Sequence, residues 1–460
     1  MSEQLKPEIE GFIAQRNFHE MRRRLDGFDP GEVGALLEQL TREDGLIVFR
    51  SLPRLTGAAV FERLPHDRQV TLVEDLSPDG ERLTSLLNDL SPDDRTAFFA
   101  ELPDPDLQRF LSILDPKERA NAIRLLGYPE ESIGRLATTD YIALRPHWTV
   151  EQALRHIRRF GRDSETINVI YIVDRDWKLL DDVRIREIIL ADPDATILSL
   201  MDQRFVALAA GDDQETAVRI FRESDRPMLP VIDPDGVLVG IVTADDVLDI
   251  AEEEATEDIQ KLGGLEALDM PYMDTPLHTL ISKRARWLAV LFIGEMFTAT
   301  AMGYFESEIA KAVVLALFVP LVISSGGNSG SQAASLMIRA LAVGEVRLRD
   351  WWRVMRREVL SGLALGGILG VLGFLRVTLW AQAFGLYGEH WMLLGVTIAL
   401  ALVGVVMWGT LAGSMLPFIM KRLGADPATS SAPFVATLVD VTGLVIYFSI
   451  ATVVLSGTLL

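Results

Sequence analysis

The chain has 460 residues, a formal net charge of −21 and no cysteine. This length suits two to four domains, and the lack of cysteine excludes disulfides, thiolate metal sites and thiol nucleophiles. Residues 1–280 hold 56 of the 65 acidic side chains against 31 Lys and Arg, whereas residues 281–460 hold 9 acids and 13 bases. A front portion this negative repels phosphate backbones, so we expect no nucleic-acid partner.

The N-terminal region reads as a series of short helices. The first twenty residues lack a cationic start followed by an apolar run, so we expect no cleaved signal peptide and a cytoplasmic front portion. Helices this short cannot bury a face alone, and we expect a superhelical all-α domain over 1–135, with an ordinary helical bundle as the alternative. The turns begin with prolines at 11- to 14-residue spacing, namely Pro53, Pro65, Pro78, Pro92, Pro103 and Pro116.

Residues 136–256 change to two βαββα-like copies, and the second is the clearer. Its two C-terminal strands flank an Asp-Pro-Asp-Gly turn, and the helix that follows begins with Thr243-x-x-Asp246. This pattern resembles a cystathionine-β-synthase (CBS) repeat, which implies α/β CBS domains over 136–198 and 199–256. CBS pairs usually sense nucleotides or ions. The first copy has Asp181 for the usual Gly, and Arg184 and Glu187 for the Thr and Asp that would hold a ribose.

A nucleotide site would therefore use Thr243 and Asp246 alone, and whether ATP binds stays open.

The next segment, an acidic connecting helix and linker over 245–282, carries eight acids between residues 245 and 258. Like charges at helical spacing repel one another. Bound divalent cations would relieve that repulsion, and a solvated helix is the alternative.

The last part of the chain, 283–460, predicts a transmembrane domain of five helices. Each span has the roughly 20 apolar residues that a bilayer requires. Basic residues cluster at alternate ends of the spans, so the positive-inside rule places the N-terminus in the cytoplasm and the C-terminus outside. The spans are 287–306, 312–338, 359–383, 392–417 and 434–458.

Glycine patterns and a polar stretch mark the interior of this domain. Glycines four residues apart in the third and fourth spans, at 362–370 and 409–413, predict close helix packing. The second span contains a polar, Gly-rich stretch at 322–332, which predicts a broken helix. Such a break is tolerated only inside protein or beside a wet cavity, so it is either a packed kink or a pore lining. The candidate lining residues are Gly326, Gly327, Asn328, Gly330 and Gln332.

Two carboxylates, Glu295 and Asp440, fall clearly inside predicted spans. An acidic side chain at this depth costs several kcal/mol unless it meets water, a partner or an ion. Asp440 has no basic neighbour in sequence, which favours an ion pathway. For Glu295 two alternatives stay open, the ion pathway and a hydrogen bond within the bundle.

Taken together, these segments resemble the MgtE family of magnesium transporters and channels over essentially the whole chain. The order of helical domain, CBS pair and five spans carries this resemblance together with four short phrases. They are Gly326-Gly327-Asn328-x-Gly330-x-Gln332, the stretch 436–444 around Asp440, Ala255-Thr256-Glu257-Asp258-Ile259 and Gly303-x-Phe305-Glu306.

The resemblance implies a homodimer embedded in lipid of a bacterial-type plasma membrane, with a pore on the two-fold axis lined by the second and fifth spans. Asp440 would recognise hydrated Mg²⁺ with backbone carbonyls near Ala436 and Gly443. Mg²⁺ loses its water reluctantly and is commonly held by one or two carboxylates. This chain has Ala432 where family members often carry Asn, which leaves selectivity over Mn²⁺, Co²⁺, Ni²⁺ and Ca²⁺ undecided.

The resemblance also implies cytoplasmic regulatory Mg²⁺ sites, through which abundant Mg²⁺ would hold the pore shut. Alternative functions are an ion-coupled divalent cation transporter and a membrane-anchored Mg²⁺ sensor, whereas nothing in the sequence indicates an enzyme. The regulatory candidates are Asp213, Glu215, Asp225, Asp246, Asp249, Glu254, Glu257, Asp258 and Asp426, with Asp93 and Asp94 in the helical domain.

Overall fold

A computed structural model describes residues 2–268, 272–273 and 275–459. Residues 269–271 and 274 of the predicted linker lie outside the described residues. The chain divides into two compact units, Met1–Ala251 and Glu252–Leu460.

The N-terminal part of the first unit is helical, as the sequence predicts. Proline stands at the first helical position of three of these helices and at the N-cap of three others, where its missing N–H leaves no intrahelical bond unmade. The helices are α1 (Ser2–Ala14), α2 (Phe18–Leu25), α3 (Pro30–Gln39), α4 (Arg42–Ser51), α5 (Arg54–Glu62), α6 (His66–Leu76), α7 (Gly80–Asp89), α8 (Pro92–Ala100), α9 (Asp104–Ile113) and α10 (Pro116–Leu126).

These helices stack on alternate neighbours. The helix α1 packs on α3, α3 on α5, α5 on α7, and α8 on α10. Successive layers are tied by ion pairs, of which the most buried joins the fully buried Arg95 to Glu118 at 2.5 Å. One continuous apolar core follows, running from Leu5 to Ala122.

Two three-stranded sheets of identical topology form the rest of the first unit. In each, the first strand runs parallel to the second because a helix connects them, and the second pairs antiparallel with the third. The first copy contains β1 (Ala143–Leu144), α11 (Val150–Phe160), β2 (Val169–Val173), β3 (Leu179–Arg184) and α12 (Ile185–Leu190). The second contains β4 (Leu208–Ala209), α13 (Gln214–Ser224), β5 (Met228–Ile232), β6 (Leu238–Thr243) and α14 (Ala244–Leu262).

The two copies share an apolar cluster that includes Tyr171, Leu179 and Ile241. The helix α14 remains regular through its acidic segment and ends at Leu262.

Five helices in the described part of the second unit are long and apolar enough to cross a membrane. The candidate spans are Leu277–Tyr304, Val313–Ala342, Leu348–Phe384, Trp391–Arg422 and Ala432–Leu455. Their α-helical portions, with one short helix between the first two spans, are α15 (Leu277–Tyr304), α16 (Glu306–Lys311), α17 (Val319–Ala342), α18 (Trp351–Phe384), α19 (Trp391–Arg422) and α20 (Ala432–Leu455).

Glycines allow α17, α18 and α19 to approach one another at backbone distance. A Cβ on Gly366 of α18 would lie 2.7 Å from the Cα of Val403 in α19. A Cβ on Gly330 of α17 would lie 2.9 Å from the carbonyl oxygen of Gly409, again in α19. Neither position has room for a side chain, so the close packing predicted from the glycine spacing is confirmed for both α18 and α19.

The prediction of a broken second span is wrong. The helix α17 runs unbroken from Val319 to Ala342, straight through the polar stretch 322–332. Gly326, Gly327 and Gly330 are buried against neighbouring helices, so their small size serves packing while the backbone keeps its internal hydrogen bonds. The irregular part of the span is the 3₁₀ segment Val313–Phe318 that precedes α17.

Candidate cation sites

The carboxylate of Asp440 lies beside the glycine-rich face of α17. A Cβ built on Gly327 would be 3.7 Å from Asp440 Oδ1 and 3.6 Å from the Cβ of Ala436. Asp440 itself is half-buried. The two phrases singled out in the sequence, in α17 and α20, therefore meet at this carboxylate.

The five candidate lining residues of α17 divide between two faces. Gly326, Gly327 and Gly330 are buried in helix packing, whereas Asn328 and Gln332 are exposed. Ser324 is exposed as well, so polar side chains recur every four residues along one face of the helix. Amide and hydroxyl groups in a row at membrane depth require water or another protein beside them.

Neighbouring contacts orient α20, the helix that carries Asp440. Trp408 of α19 donates from Nε1 to the hydroxyl of Thr442 at 2.7 Å. The hydroxyl of Tyr447 donates to the carbonyl of Leu315 at 2.8 Å. Gly443 packs against α19 and α17, since a Cβ there would lie 3.1 Å from Val405 Cγ1. Nothing in the sequence points to Trp408 as a partner of Thr442.

A second concentration of carboxylates lies wholly in the first unit. Asp93 and Asp94 open α8, and their charges act on Asp246 and on Asp249 of α14 respectively. Asp93 Oδ1 is buried, and within the described residues it has no hydrogen-bond partner. A buried carboxylate oxygen without a donor suits a cation or a water molecule bound to one.

Sequence reasoning missed half of this cluster. The cluster also contains Glu62, whose Oε1 accepts a hydrogen bond from the backbone N–H of Ser91 at 2.9 Å, together with Asp140, Glu165 and Asp245. Glu62, Asp140 and Glu165 come from three separate parts of the chain, and no local motif marks them.

Desolvation, with smaller contributions from neighbouring negative charges, raises the pKa of three members, Glu62, Asp93 and Asp246. Burial raises the pKa of Glu62 to about 7, with smaller contributions from the charges of Asp94 and Glu165. Desolvation, opposed by the hydrogen bond from Thr243, raises the pKa of Asp246, and desolvation together with Asp94 and Asp246 raises that of Asp93. These shifts mark a site that favours an added positive charge.

Within residues 2–268, 272–273 and 275–459, no three acidic or histidine side chains converge closely enough to form a ready-made metal site. Mg²⁺ commonly takes one or two carboxylates and keeps several waters.

The candidates on α13 lie at opposite ends of that helix. Asp213 is its N-cap and accepts a hydrogen bond from the backbone N–H of Glu215 at 2.9 Å. Asp225 is its C-cap in the left-handed conformation, at φ 52°. Eleven residues of helix separate the two groups by about 16 Å, so they do not form one site within a chain.

In the second unit, α14 and the loop between α19 and α20 are joined by a lysine. Lys261 Nζ lies 2.5 Å from Glu257 Oε1 and 2.8 Å from Asp426 Oδ2. Burial by itself would lower the pKa of Lys261, but its bonds to Asp426 and Glu257 raise the pKa well above its usual range. Two predicted regulatory carboxylates therefore share one cationic partner. Glu254 and Asp258 lie on the same helix within one turn of Glu257.

The candidate nucleotide residues contact one another. The hydroxyl of Thr243 donates to Asp246 Oδ2 at 2.5 Å, which closes the first turn of α14. In the first copy, the buried Asp181 accepts hydrogen bonds from the backbone N–H groups of Asp202 and Gln203 at 2.8 and 2.9 Å. Asp181, which stands where the CBS pattern usually has Gly, thus anchors the segment between the two copies.

Family comparisons match three parts of the chain. Residues 319–450 match the MgtE model, described as a divalent cation transporter. Residues 28–131 match the MgtE intracellular N domain, and 133–194 and 197–253 match CBS domains. Together these parts define a multi-pass membrane transporter with a cytosolic N domain.

Curated relatives extend the match over the whole length. The magnesium transporter MgtE of Thermus thermophilus is 38% identical over 458 residues, covering 99% of this chain and 100% of the relative. The magnesium transporter MgtE of Enterococcus faecalis is 34% identical and covers 73% of this chain and 72% of its own. The chain therefore belongs to the MgtE family of magnesium transporters.

Among solved structures, the chain is similar to the cytosolic domain of the Mg²⁺ channel MgtE in complex with ATP. That structure is 34% identical, has a TM-score of 0.50 and covers 53% of this chain and 99% of its own. The soluble part of a magnesium transporter, 24% identical with a TM-score of 0.51, supports the fold of this region.

Proposed function

We propose that this chain forms a Mg²⁺-selective channel that imports Mg²⁺ across a bacterial plasma membrane and closes when cytoplasmic Mg²⁺ is abundant. The observation that carries the proposal is the position of Asp440, which lies against α17 at membrane depth. On the same helix, Asn328 and Gln332 form an exposed polar face. A carboxylate and amides at this depth need a hydrated path, which an anchor would not provide.

We further propose a homodimer with the path on its two-fold axis. Each chain would then supply one Asp440, and two carboxylates suit an ion that retains its waters. Backbone carbonyls near Ala436 and Gly443 would accept hydrogen bonds from those waters. The basic ends of the spans, which include Arg339 and Arg422, support a cytoplasmic N-terminus and an external C-terminus.

Closure would act through carboxylates that repel one another when no divalent cation is bound. Bound Mg²⁺ supplies positive charge between such groups. In the first unit, Asp93 and Asp246 would be neutralised and their surfaces would stay together. In the second unit, α14 is tied to the pore-side loop through Lys261 and Asp426. Gly264, at φ 72°, lies tightly against Trp287 and against Pro433 at the start of α20. A displacement of α14 would therefore be transmitted to the base of α20.

ATP is a second proposed cytoplasmic ligand, because a similar cytosolic domain has been solved in complex with ATP. Thr243 and Asp246 would contact it. Asp246 also belongs to the acidic cluster, so ATP and divalent cations would influence one another at this residue.

The test is electrophysiology of the full-length protein in planar bilayers with Mg²⁺ varied on the cytoplasmic side. We expect single-channel Mg²⁺ currents that fall as cytoplasmic Mg²⁺ rises. Asp440→Asn keeps the shape of the side chain, removes its charge and should abolish the current. Normal current in that variant would refute the pore assignment, and flux that requires a Na⁺ or H⁺ gradient would favour coupled transport instead. The matched control is Glu389→Gln, in the connection between α18 and α19.

A further inference from the structure

Glu295 lies on α15, which runs parallel to the pore-side helix α20. A Cβ on Gly294 would be 2.9 Å from Thr437 Cγ2, and the rings of Phe305 and Phe448 stack with centroids 5.2 Å apart. Both contacts pair residues that are 143 positions apart, so the two helices run in the same direction and keep a constant register. Glu295 is then level with Leu438, about 3 Å along the axis from Asp440.

At this level, the negative charge of Glu295 is near enough to act on Asp440. Glu295 follows Gly294 by one position, about 100° round the helix, which places it at the edge of the contact between α15 and α20. It is exposed in this chain, as are its apolar neighbours Phe292, Ile293 and Met296. A carboxylate exposed at membrane depth must face water, an ion or another protein, because lipid cannot solvate it.

Thr298, one turn above Glu295, provides an independent indication of a polar path. Its hydroxyl is buried and, among the described residues, has no hydrogen-bond partner. By the same pairing of positions, Thr298 is level with Val441, next to Asp440. Three polar side chains thus gather within about one turn at the junction of α15 and α20, in otherwise apolar surroundings. A hydroxyl left unpaired in such a place suits a bound water or a hydrated ion.

We propose that Glu295 is a second cation-contacting carboxylate of the Mg²⁺ path, adjoining Asp440 at the junction of α15 and α20. This inference rests on the proposed channel function and adds a helix, α15, to the walls of the path. Glu295 would concentrate hydrated divalent cations near Asp440, since a second negative charge in a low-dielectric channel raises the local cation concentration. Thr298 would hold a water of the ion's shell.

The first test is conductance at Mg²⁺ concentrations well below saturation. Glu295→Gln keeps the shape and removes the charge, and we expect about tenfold less current, with the difference shrinking as Mg²⁺ saturates the path. Glu308→Gln, in the outer helix α16, is the matched control and should conduct as wild type. Wild-type current from Glu295→Gln at low Mg²⁺ would overturn the inference.

A second test does not depend on current, and it uses the absence of native cysteine. In the full-length protein, Glu295→Cys should react with a water-soluble cationic thiosulfonate, and Mg²⁺ should slow the reaction. Ile293→Cys lies on the opposite side of α15 and should remain unmodified, whereas Glu308→Cys should react whether or not Mg²⁺ is present. Failure to modify Glu295→Cys under conditions that modify Glu308→Cys would place Glu295 against lipid or protein and overturn the inference.

The two proposals fail in different ways. If the wild type carries Mg²⁺ current while the Glu295 variants match their controls, the channel function stands and the role of Glu295 is wrong. If the wild type carries no Mg²⁺ current, the channel function is wrong, and the Mg²⁺-sensitive modification of Glu295→Cys still decides whether a cation reaches this position.

Discussion

Glu62 allows a direct test of how burial and neighbouring charges affect a carboxyl group of the acidic cluster. Its pKa rises from 4.5 to about 7, mainly through burial and further through Asp94 and Glu165. A change of this size corresponds to about 3 kcal/mol between the two protonation states. Because solvent still reaches the side chain and relaxation is expected, we expect about 1–2 kcal/mol in practice.

The sign follows from which state holds the proton. Between pH 4.5 and about 7, native Glu62 keeps a proton that the unfolded chain has lost, so the stability of this region decreases as pH rises through that range. Glu62→Gln removes the titration and keeps the Oε1 that accepts the hydrogen bond from Ser91. At pH 8 without divalent cations, the variant should therefore be the more stable by about 1–2 kcal/mol. At pH 4 the two proteins should be equal.

The assay is hydrogen exchange of the full-length protein, read by mass spectrometry on peptides from α5 and α8. In chelator at pH 8, exchange of these peptides should be about 5- to 30-fold slower in Glu62→Gln than in wild type. Mg²⁺ should protect the wild type more than the variant. Glu38→Gln, an exposed change on α3, is the control. Faster exchange in Glu62→Gln than in wild type under these conditions would refute the reasoning.

Three further changes test other parts of the molecule. Lys261→Met leaves Glu257 and Asp426 without the cation that they share, so the open probability of the channel in chelator should increase. An unchanged open probability would show that Lys261 does not restrain α14. Gly413→Ala places a methyl group against the carbonyl of Gly330, and we expect the membrane domain to lose about 1–3 kcal/mol of stability. Thermal denaturation in detergent measures this loss. The neutral control is Gly367→Ala, because a Cβ at Gly367 faces open space. Glu118→Gln leaves the charge of the fully buried Arg95 uncompensated, which should reduce the stability of the helical domain by about 3–5 kcal/mol. Hydrogen exchange in α8 and α10 should therefore be faster than in wild type. Exchange at the wild-type rate in these helices would contradict the prediction.

The behaviour of α17 illustrates why composition alone misleads inside a membrane domain. Glycine and serine at 324–331 predict a helix break because these residues are poor helix formers in water. In the structure, the helix continues because its glycines admit the backbone of α19 and the membrane offers no alternative hydrogen-bond partner. The same contact leaves Asn328 and Gln332 on the opposite, exposed face. The residue types indicated that this segment differs from an ordinary apolar span, and the packing against α19 determined that it remains helical.

Local pattern alone determined much of this protein. Apolar run length determined the five candidate spans, proline position marked the starts of the short helices, and strand-turn-strand spacing indicated the CBS pair. These features depend on neighbours within one helix or one hairpin. The acidic cluster around Asp93 depends instead on residues as distant as Glu62 and Glu165, which only the fold brings together.

The level of Glu295 beside Asp440 likewise depends on the parallel packing of α15 and α20. Electrostatic coupling and desolvation depend on distances of several ångströms through space. For residues far apart in the sequence, tertiary packing sets those distances. The sequence therefore identified which residues carry charge into the membrane and the cytosol, and the tertiary structure determined which of those charges act on one another.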